Sequence, residues 1–387
     1  MKICILSYML SVGGFTSSLL PLLKHLSNAN IKVDLLLFEK SNIEIEKINN
    51  VKIIYDDFDV DSKKKWLKFL TTPKFILDFI KATLIKSNQT YQFTWHQDLT
   101  YLNTLQYNTK NLSSYDCVIS WEECFTNYYL SERVIAKKKI GFIHPDYKKA
   151  NFSKKIDLIG YKNLDHIMCV SNATCKVLKQ ELPKLANKCD YIYNTLDVNK
   201  ILALSNENIN TFNKNEFDII TVARLDNKSK ALDRLVNVAK KLKNDGLKFK
   251  WHILGDGESK NLLISLINEN NLSDTIILYG SISNPHPYTK KADLFVLQSY
   301  YEGKSMAVEE ALILNTPVLI SEYNSAHEQV QDGVTGFIAE NNEDAIYLKL
   351  KYILENKNIL NDIKNNLINM DKTNFEDVSK LIRYIRR

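Results

Sequence analysis

The stretch S-Y-Y-E-G-K-S-M-A-V-E-E-A, Ser299–Ala311, decides the fold of this chain. It follows the apolar run 293–298, whose β-branched and aromatic content is typical of a strand, and it opens a helical pattern. Glu302 and Gly303 are predicted to lie in the turn between strand and helix, with Ser305 as the N-cap. The first turn of a helix has backbone N–H groups without intrahelical partners and the positive end of the helix dipole. The stretch therefore predicts a site for phosphate or sugar oxygens.

The helix predicted after Ser305 places Glu310 on its apolar face. A carboxylate there needs a hydrogen-bonding partner, and the diol of a ligand would serve. Glu309 is expected with Ser305 and Thr316 on the more polar side of the helix. The plainer interpretation is that Glu302 and Glu309 are solvated and that Glu310 caps or pairs locally. The apolar face consists of Met306, Ala307, Ile313 and Leu314.

The same stretch resembles the signature of the retaining GT-B glycosyltransferases of family 4, in which two glutamates are separated by seven residues. The resemblance extends more weakly over most of the 387 residues. It implies an α/β fold of two Rossmann-like domains that face each other across a cleft. It also implies a nucleotide-sugar donor and a reaction without a cofactor. The residues that match are Glu302, Gly303, Glu310 and Ala311, with the similar segments 315–320 and 332–336.

Length and composition are those of a globular protein with two domains. The chain has 387 residues, of which 45% are hydrophobic and 25% charged, and a mild net charge of +6. The six cysteines are scattered without a C-x-x-C pair, so neither a zinc site nor a disulfide framework is indicated, which fits a reducing cytosol. The apolar start stops at Ser7 and is predicted to be the first strand, not a signal peptide. No run approaches the ~18 apolar residues of a membrane span, and no nucleic-acid partner is expected.

Strand and helix signals alternate along both halves, which predicts parallel sheets covered by helices. We predict an N-terminal Rossmann-like acceptor domain over residues 1–195 and a C-terminal nucleotide-sugar-binding domain over 216–370. The Asn-rich stretch 196–215 between them is predicted to be a linker. The resemblance implies that the last, basic helix within 371–387 returns to the first domain.

Two strand ends in the first half carry candidate ligand-binding residues. Gly14 opens the first helix, where glycine lets the backbone approach a diphosphate, although a plain tight turn explains it equally well. His144 and Asp146 follow the strand 139–143 at the edge of the sheet where ligands bind in open α/β folds. A single histidine is more often structural. The segment resembles the I-H-x-D turn of the family, which implies that His144 lies beside the donor sugar and that Asp146 and Gly14 bind the donor.

Two cations after the first strand of the second half are candidates for binding phosphate. Arg224 closes that strand and Lys230 opens a helix, so both can neutralise a diphosphate as it leaves. The family has an Arg and then a Lys followed by Gly; here Ala231 stands in place of that Gly, and Lys228 competes with Lys230 for the role. Two surface cations near a helix start are the plainer interpretation. By the resemblance, the turn near Ile282 approaches the base of the nucleotide.

Two segments of the first half have unusual charge patterns. Asp57 and Asp59 form a D-x-D spacing, which can hold a divalent cation in another class of glycosyltransferase. A solvated acidic loop is the commoner explanation, and we predict no metal. The segment Asp61–Lys86 has seven lysines interleaved with aromatic and aliphatic residues. It fits either binding in the plane of an anionic membrane surface or an ordinary amphipathic helix packed on its own domain.

Together with the resemblance, these features predict a retaining, metal-independent hexosyltransferase with a nucleotide-diphosphate sugar as donor, UDP-linked by default because UDP-sugars are common in the family. No second carboxylate is evident as a nucleophile, so we expect the front-face course that the resemblance implies, in which the leaving diphosphate helps deprotonate the acceptor hydroxyl. The resemblance implies that Glu302 binds sugar hydroxyls and that Glu310 binds the ribose diol. The residues expected to be catalytic are His144, Arg224, Lys230 and Glu302. The further donor-binding residues expected around the helix start are Gly303, Lys304, Ser305 and Met306.

The resemblance implies that the acceptor is a glycan or lipid-linked hydroxyl in surface polysaccharide biosynthesis. The chain is therefore expected in the cytoplasm or peripheral on the inner face of the membrane. Alternatives are a nucleotide-sugar epimerase, which would release nucleotide without an acceptor, and a non-catalytic subunit of a polysaccharide-assembling complex. Ser305 stands where the family often has Pro, and residues 324–326 where it often has a Gly pair, so the sugar itself stays open.

Overall fold

The structure is a computed structural model that describes residues 1–10, 13–41, 47–55, 89–105, 107–209, 212 and 216–386. These residues form two compact units. The first comprises Met1–Ile192 and Val378–Arg387, and the second comprises Tyr193–Asp377. The Asp57 and Asp59 pair and the basic segment Asp61–Lys86 lie outside the described residues.

The first unit is built on a sheet of parallel strands with helices on both faces. Its strands are β1 Lys2–Ser7, β2 Lys32–Leu37, β3 Val51–Tyr55, β4 Lys110–Asn111, β5 Cys117–Ser120, β6 Val134–Ile135, β7 Lys139–Ile143, β8 His166–Cys169 and β9 Cys189–Tyr191. The main sheet has the order β3-β2-β1-β5-β7-β8-β9, and β4 pairs with β6 separately. The helices are α1 Gly14–Asn28, α2 Gln89–Thr104, α3 Phe125–Arg133, α4 Lys154–Gly160 and α5 Asn172–Glu181, followed by the 3-10 helix Pro183–Lys188.

Strand β1 shows why both faces of this sheet are covered. Residues 3–6 are all fully buried, although successive side chains of a strand point to opposite faces. Ile5 lies in one apolar core with Leu23 of α1, and Leu6 lies in the other with Tyr128 of α3. A strand that is apolar on every side belongs in a parallel sheet between two helix layers.

The second unit repeats this architecture. Its strands are β10 Asp218–Val222, β11 Lys250–Leu254, β12 Ile276–Gly280, β13 Leu294–Leu297, β14 Val318–Ser321 and β15 Gly336–Ala339. Its helices are α6 Val198–Leu204, α7 Asn227–Lys230, α8 Leu232–Asn244, α9 Lys260–Glu269, α10 His286–Lys291, α11 Met306–Ile313, α12 Ala326–Gln329, α13 Glu343–Glu355 and α14 Ile359–Ile368, with the 3-10 helix Thr373–Glu376 after them. The prediction of an α/β fold with parallel sheets is thus confirmed in both units.

The strand order of the second sheet locates the place where a ligand is expected. The order is β12-β11-β10-β13-β14-β15, with every neighbouring pair parallel. This is the order of a dinucleotide-binding fold, in which the sheet grows first in one direction from β10 and then in the other from β13. Ligands bind outside the carboxyl ends of the two strands at this reversal. The loops that leave β10 and β13 are therefore the first to inspect.

The stretch predicted to be a linker contains α6, which packs within the second unit. Val198 and Ile201 on α6 share an apolar cluster with Ile313 and Leu314 at the end of α11. The stretch 196–215 is therefore partly structured. Within the described part of the chain, no helix combines the length and the hydropathy that crossing a bilayer requires.

The segment predicted to return to the first domain is divided between the units. Residues up to 377 belong to the second unit, and α15, Ser379–Arg386, belongs to the first. Leu381 and Ile385 on α15 are buried in the same core as Ile5 and Leu23. A helix this short is held by its packing, because isolated helices of such length are not stable in water.

Candidate active site

The loops after β10 and β13 bring a lysine and a glutamate of the second unit together. The Lys230 ammonium at the end of α7 contacts the Glu302 carboxylate after β13, and both side chains are largely buried. The Ser299 hydroxyl donates a hydrogen bond to Glu302 Oε1 at 2.6 Å. Two donors therefore hold the Glu302 carboxylate in one orientation at the reversal point of the sheet.

Arg224 lies on the same loop as Lys230 but is far more accessible. Its side chain is 74% exposed, and its Nη2 atom lies 3.3 Å from Asp226 Oδ2. Asp226 also caps α7, because its side chain accepts from the backbone N–H of Lys228 at 3.0 Å. The Lys228 side chain is exposed, whereas Lys230 is paired with Glu302. The two lysines that the sequence left as competitors thus have different surroundings.

Ala231 has a backbone conformation that favours glycine. Its backbone has φ +50° and ψ +52°, the left-handed conformation that L-residues adopt at a cost of about 1–2 kcal/mol. The residue ends α7 and starts α8 and is fully buried. The backbone turn that directs Lys230 is therefore present here without the glycine.

A polar network fixes the loop that carries Glu302. Arg234 on α8 is buried, and its guanidinium contacts the carbonyl oxygen of Gln298 and donates to Asn341 Oδ1 at 2.8 Å. Asn341 Nδ2 in turn donates to the carbonyl oxygen of Tyr300 at 3.0 Å. Sequence reasoning missed Arg234 and Asn341, since neither belongs to the motif that identified the loop.

Gly255 and Gly257 after β11 serve packing against the loop of Arg224. A Cβ on Gly255 would lie 1.9 Å from the carbonyl oxygen of Ala223, and one on Gly257 would lie 2.5 Å from that of Leu225. The two loops are also joined by a hydrogen bond from the Leu225 N–H to the Asp256 carbonyl at 2.9 Å. These glycines permit close contact between two backbones, so their presence needs no ligand to explain it.

Helix α11 begins where the sequence predicts, with Ser305 at the N-cap. The Ser305 hydroxyl makes no capping hydrogen bond. Instead Gln329 bridges the residue, since its Oε1 accepts from the Ser305 N–H at 3.0 Å and its Nε2 donates to the Ser305 carbonyl at 2.9 Å. Gly303 lies two residues before Ser305, and Met306 follows it as the first residue of α11. The first turn of α11 presents N–H groups that have no acceptor within the helix.

The interpretation that Glu309 is solvated is wrong. Its side chain is buried and contacts the ammonium group of Lys304, which is also buried. The Lys304 ammonium lies 4.6 Å from the centre of the Tyr193 ring, and burial lowers the pKa of Lys304 to about 7. The period of the helix did place Glu309 beside Thr316, but that side faces the protein interior. Lys304, expected among the donor-binding residues, thus directs its side chain to Glu309.

Glu310 occupies the apolar side of α11 that the sequence predicts. The side chain is 18% exposed, and Ile313 and Leu314 on the same side of the helix are buried. Burial raises the pKa of Glu310 to about 7. His286 Nε2 at the start of α10 lies 3.7 Å from Glu310 Oε2. Sequence reasoning missed His286, because nothing in its immediate neighbours links it to a residue 24 positions away.

The first unit groups its candidates at the carboxyl ends of three adjacent strands, β1, β5 and β7. The ring of His144 after β7 lies 4.7 Å from that of Phe15 on α1 and 5.2 Å from that of Trp121 after β5. Gly14 opens α1 beside Phe15. Asp146 is almost fully buried and accepts from the Lys149 N–H at 3.0 Å, so its side chain closes a turn.

Two carboxylates missed by sequence reasoning lie next to His144. Glu123 Oε2 is 3.4 Å from His144 Nδ1. Glu122 Oε1 accepts from the Tyr8 N–H at 3.1 Å, and burial raises the pKa of Glu122. Cys124, which follows them, has φ +59° and ψ −112°, a conformation that L-residues rarely adopt and that recurs at functional sites. The signal in the sequence was W-E-E-C directly after a buried strand.

Part of the second unit is similar to a known family. Residues 205–370, less than half of the chain, match the family model of glycosyl transferases group 1. The match covers Arg224, Lys230, Glu302 and Glu310, so these candidate residues of the second unit lie in the matched region.

Curated relatives share part of this chain. One is the Campylobacter jejuni N-acetylgalactosamine-N,N'-diacetylbacillosaminyl-diphospho-undecaprenol 4-alpha-N-acetylgalactosaminyltransferase, 32% identical over 57% of this chain and 60% of that protein. Another is an uncharacterized glycosyltransferase of Methanocaldococcus jannaschii, 33% identical over 48% of this chain and 47% of that protein. A third is the Escherichia coli UDP-Gal:alpha-D-GlcNAc-diphosphoundecaprenol alpha-1,3-galactosyltransferase, 25% identical over 59% of this chain and 61% of that protein. The chain thus matches only about half to three fifths of the length of these relatives.

Solved structures share the fold of the whole chain. Sucrose-phosphate synthase from Thermosynechococcus elongatus has a TM-score of 0.71 at 14% identity, with 100% of this chain and 99% of that chain covered. An S. aureus TarM mutant in complex with fondaparinux, alpha-GlcNAc-glycerol and UDP has a TM-score of 0.67 at 16% identity, with 100% of both chains covered. These likenesses confirm the predicted GT-B class with its two Rossmann-like domains.

Proposed function

We propose that this chain is a glycosyltransferase that moves a hexose-type sugar from a nucleotide-diphosphate donor to a hydroxyl of a glycan or a lipid-linked acceptor. One observation carries the proposal. Lys230 pairs with Glu302 at the reversal point of a dinucleotide-type sheet, within the region that matches the family model of glycosyl transferases group 1. Arg224 precedes Lys230 after the same strand and has an exposed guanidinium. A UDP-linked sugar is the donor that we propose by default.

The contact between Lys230 and Glu302 suggests how the donor is received. A diphosphate offers Lys230 a stronger anionic partner than one carboxylate, and sugar hydroxyls can donate to the oxygens of Glu302. The exposed guanidinium of Arg224 can approach the same diphosphate, and the first turn of α11, which begins at Met306, adds backbone N–H donors. We propose that Gly14 and Ile282 also bind the donor.

The proposed reaction keeps the configuration at the anomeric carbon. The bond from that carbon to the diphosphate oxygen breaks, and its electron pair leaves with the diphosphate. The acceptor oxygen bonds to the carbon on the same face, and the departing diphosphate takes its proton. Arg224 and Lys230 stabilise the charge that develops on the diphosphate, so the reaction is proposed to need no metal ion. His144 is proposed to hold the sugar.

The names of the relatives support an acceptor linked to a lipid or a surface polymer. Two of them carry diphospho-undecaprenol in their names, and an S. aureus relative is a poly(ribitol-phosphate) alpha-N-acetylglucosaminyltransferase, 28% identical over 37% of this chain. We therefore propose a role in surface polysaccharide biosynthesis at the inner face of the membrane, with Asp61–Lys86 as the segment that meets anionic lipids.

Nucleotide release from a panel of nucleotide sugars tests the proposal. The full chain should release nucleotide from one donor, and an undecaprenyl-diphosphate-linked glycan should accelerate the release. The α or β configuration of the product, read by NMR, should equal that of the donor. Release of nucleotide with an altered free sugar and no dependence on acceptor would instead favour an epimerase, and no release from any donor would contradict the proposal.

A further inference from the structure

The tautomer of His286 is fixed by its neighbours. Asn284 Nδ2 donates to the carbonyl oxygen of Leu204 at 3.0 Å, which orients the amide so that Oδ1 faces His286. That oxygen accepts from the His286 backbone N–H at 3.2 Å and lies 2.8 Å from His286 Nδ1. An amide oxygen can only accept, so Nδ1 must carry the ring proton.

The other ring nitrogen of His286 is consequently a bare acceptor. The side chain is 13% exposed, and Nε2 has no hydrogen-bond donor among the described residues. Burial lowers the pKa of His286 to about 4, against a raising influence of Glu207, so the ring stays neutral near pH 7. A buried acceptor without a donor costs about 1–3 kcal/mol, and native proteins rarely leave one without a reason.

A second acceptor faces this nitrogen. Glu310 Oε2 lies 3.7 Å from His286 Nε2, and no side chain in the described part of the chain donates a hydrogen bond to the Glu310 carboxylate. Two acceptors side by side in an apolar setting disfavour each other. A ligand with two adjacent O–H donors would satisfy both at once, with one hydroxyl on each acceptor.

The resemblance already implies that Glu310 binds the ribose diol of the donor. We propose that His286 binds the same diol, with one of the 2′- and 3′-hydroxyl groups donating to His286 Nε2 and the other to Glu310. His286 is then a specificity residue that distinguishes ribonucleotides from deoxyribonucleotides. The inference rests on the proposed function and adds His286 to it as a second residue that recognises the ribose. A hexose also contains vicinal diols, so the experiment must separate the two sources.

Binding of nucleotides to the full chain, measured by calorimetry, tests the assignment. The series is UDP, 2′-deoxy-UDP and 3′-deoxy-UDP, and none of the three carries a hexose. If the chain turns over another donor, the nucleotide of that donor replaces UDP in the same series. The wild type should bind one deoxynucleotide about fivefold more weakly and the other about 10- to 100-fold more weakly. These ranges follow from hydrogen bonds to a neutral and to a charged acceptor.

Two variants should each remove one of these preferences. His286→Phe keeps a ring but has no acceptor, so it should bind UDP and one deoxynucleotide equally while it still discriminates against the other. Glu310→Gln should show the reverse assignment. His286→Gln, whose amide oxygen can accept, should restore part of the lost preference. His166→Phe, in the first unit, is the matched control and should bind all three nucleotides like the wild type.

Two results would overturn the inference. One is wild-type affinity that is equal for UDP and both deoxynucleotides, which would assign the acceptors to a hexose diol or to no ligand. The other is a loss of affinity in His286→Phe that is the same factor for all three ligands, which would mean that His286 only supports the fold. Sugar-donor turnover by the wild type, measured in parallel, separates the cases. Turnover without discrimination contradicts only this inference. The absence of both turnover and nucleotide binding contradicts the proposed function.

Discussion

Lys304 and Glu309 form an ion pair in which the two side chains are only 6% and 1% exposed. Lys304 lies in the turn that carries Glu302, and Glu309 directly precedes Glu310 on α11. Removing two charges from water is costly, so such a pair contributes little net stability, whereas breaking it leaves one buried charge without a partner. Losing one of the two side chains should therefore destabilise the fold more than losing both.

Single and double substitutions should show this dependence. Lys304→Leu and Glu309→Leu should each lower the free energy of unfolding by about 3–5 kcal/mol, since each leaves an unpaired buried charge. The double variant should recover most of that loss or exceed the wild type. Urea unfolding monitored by circular dichroism measures all four proteins. A double variant that is destabilised by the sum of the two single losses would contradict the pairing.

Arg224 and Lys228 should differ in catalysis although both are exposed cations on one loop. Arg224→Ala should lower kcat/KM for the donor by about 100-fold or more, the effect of removing one donor to a developing charge. Lys228→Ala is the matched control and should keep most of the activity, because Lys228 has no place beside Glu302. Nucleotide release under limiting donor measures both. Equal losses in the two variants would mean that only the overall charge of the loop matters.

The raised pKa of Glu310, about 7, predicts a dependence of UDP affinity on pH. The ionised carboxylate accepts hydrogen bonds from a diol, so the affinity should rise about tenfold from pH 6 to pH 8, as the ionised fraction does for a pKa near 7. Glu310→Gln should lack this rise, and titration of the UDP phosphate is common to both proteins. Parallel curves for the two proteins would exclude Glu310 as the group responsible.

The same pKa sets the sign of a stability difference. Because the folded pKa lies above the ordinary value of 4.5, the group stabilises the fold below about pH 4.5, and this stability is lost as the pH rises through about 7. The wild type should therefore lose stability relative to Glu310→Gln between those values. Thermal unfolding of the two proteins at each pH measures the difference.

Gly255 should be more sensitive than Gly280 to an added methyl group. Both glycines have positive φ, at +146° and +70°, but only Gly255 would place its Cβ against another backbone, 1.9 Å from the Ala223 carbonyl oxygen. Gly280→Ala should cost about 1–2 kcal/mol from backbone strain alone. Gly255→Ala should cost clearly more and should also reduce activity, because it displaces the loop of Arg224. Unfolding and nucleotide release, compared between the two, decide the matter.

Activity should survive removal of divalent metal ions. Among the described residues, no group of three or more His, Cys, Asp or Glu side chains is placed to hold an ion. Arg224, Lys230 and the first turn of α11 are proposed to stabilise the diphosphate instead. Nucleotide release should be unchanged in EDTA; complete loss that manganese restores would reopen the role of Asp57 and Asp59.

The sequence predicted the candidate site best where the site is formed by consecutive elements of the chain. The turn after β13 could be placed because a buried strand, a turn and a helix follow one another within twenty residues, and parallel strands bring their carboxyl ends to one edge. The same logic located Arg224 and Lys230 after β10. Helical periodicity also placed Glu310 on the apolar face of α11, where the structure has it.

Long-range partners were beyond the reach of that logic. Helical periodicity predicted which side of α11 carries Glu309, but it did not predict what packs against that side. Its partner Lys304 lies in the turn before the helix, where helical periodicity does not apply. His286 meets Glu310 only because α10 and α11 fold against each other. Helix α6 was hidden in the Asn-rich stretch 196–215, since its short apolar pattern is recognisable only once Ile313 lies opposite.

The position of α15 has a consequence for the order in which the chain can fold during its synthesis. Leu381 and Ile385 complete an apolar core whose other members are translated among the first 192 residues. The ribosome must produce all of 193–377 in between, which at about 5–20 residues per second takes roughly 10 to 40 s. During that interval the nascent first unit has an unfilled place on one face of its sheet. The unit that is made first is therefore the one that is finished last.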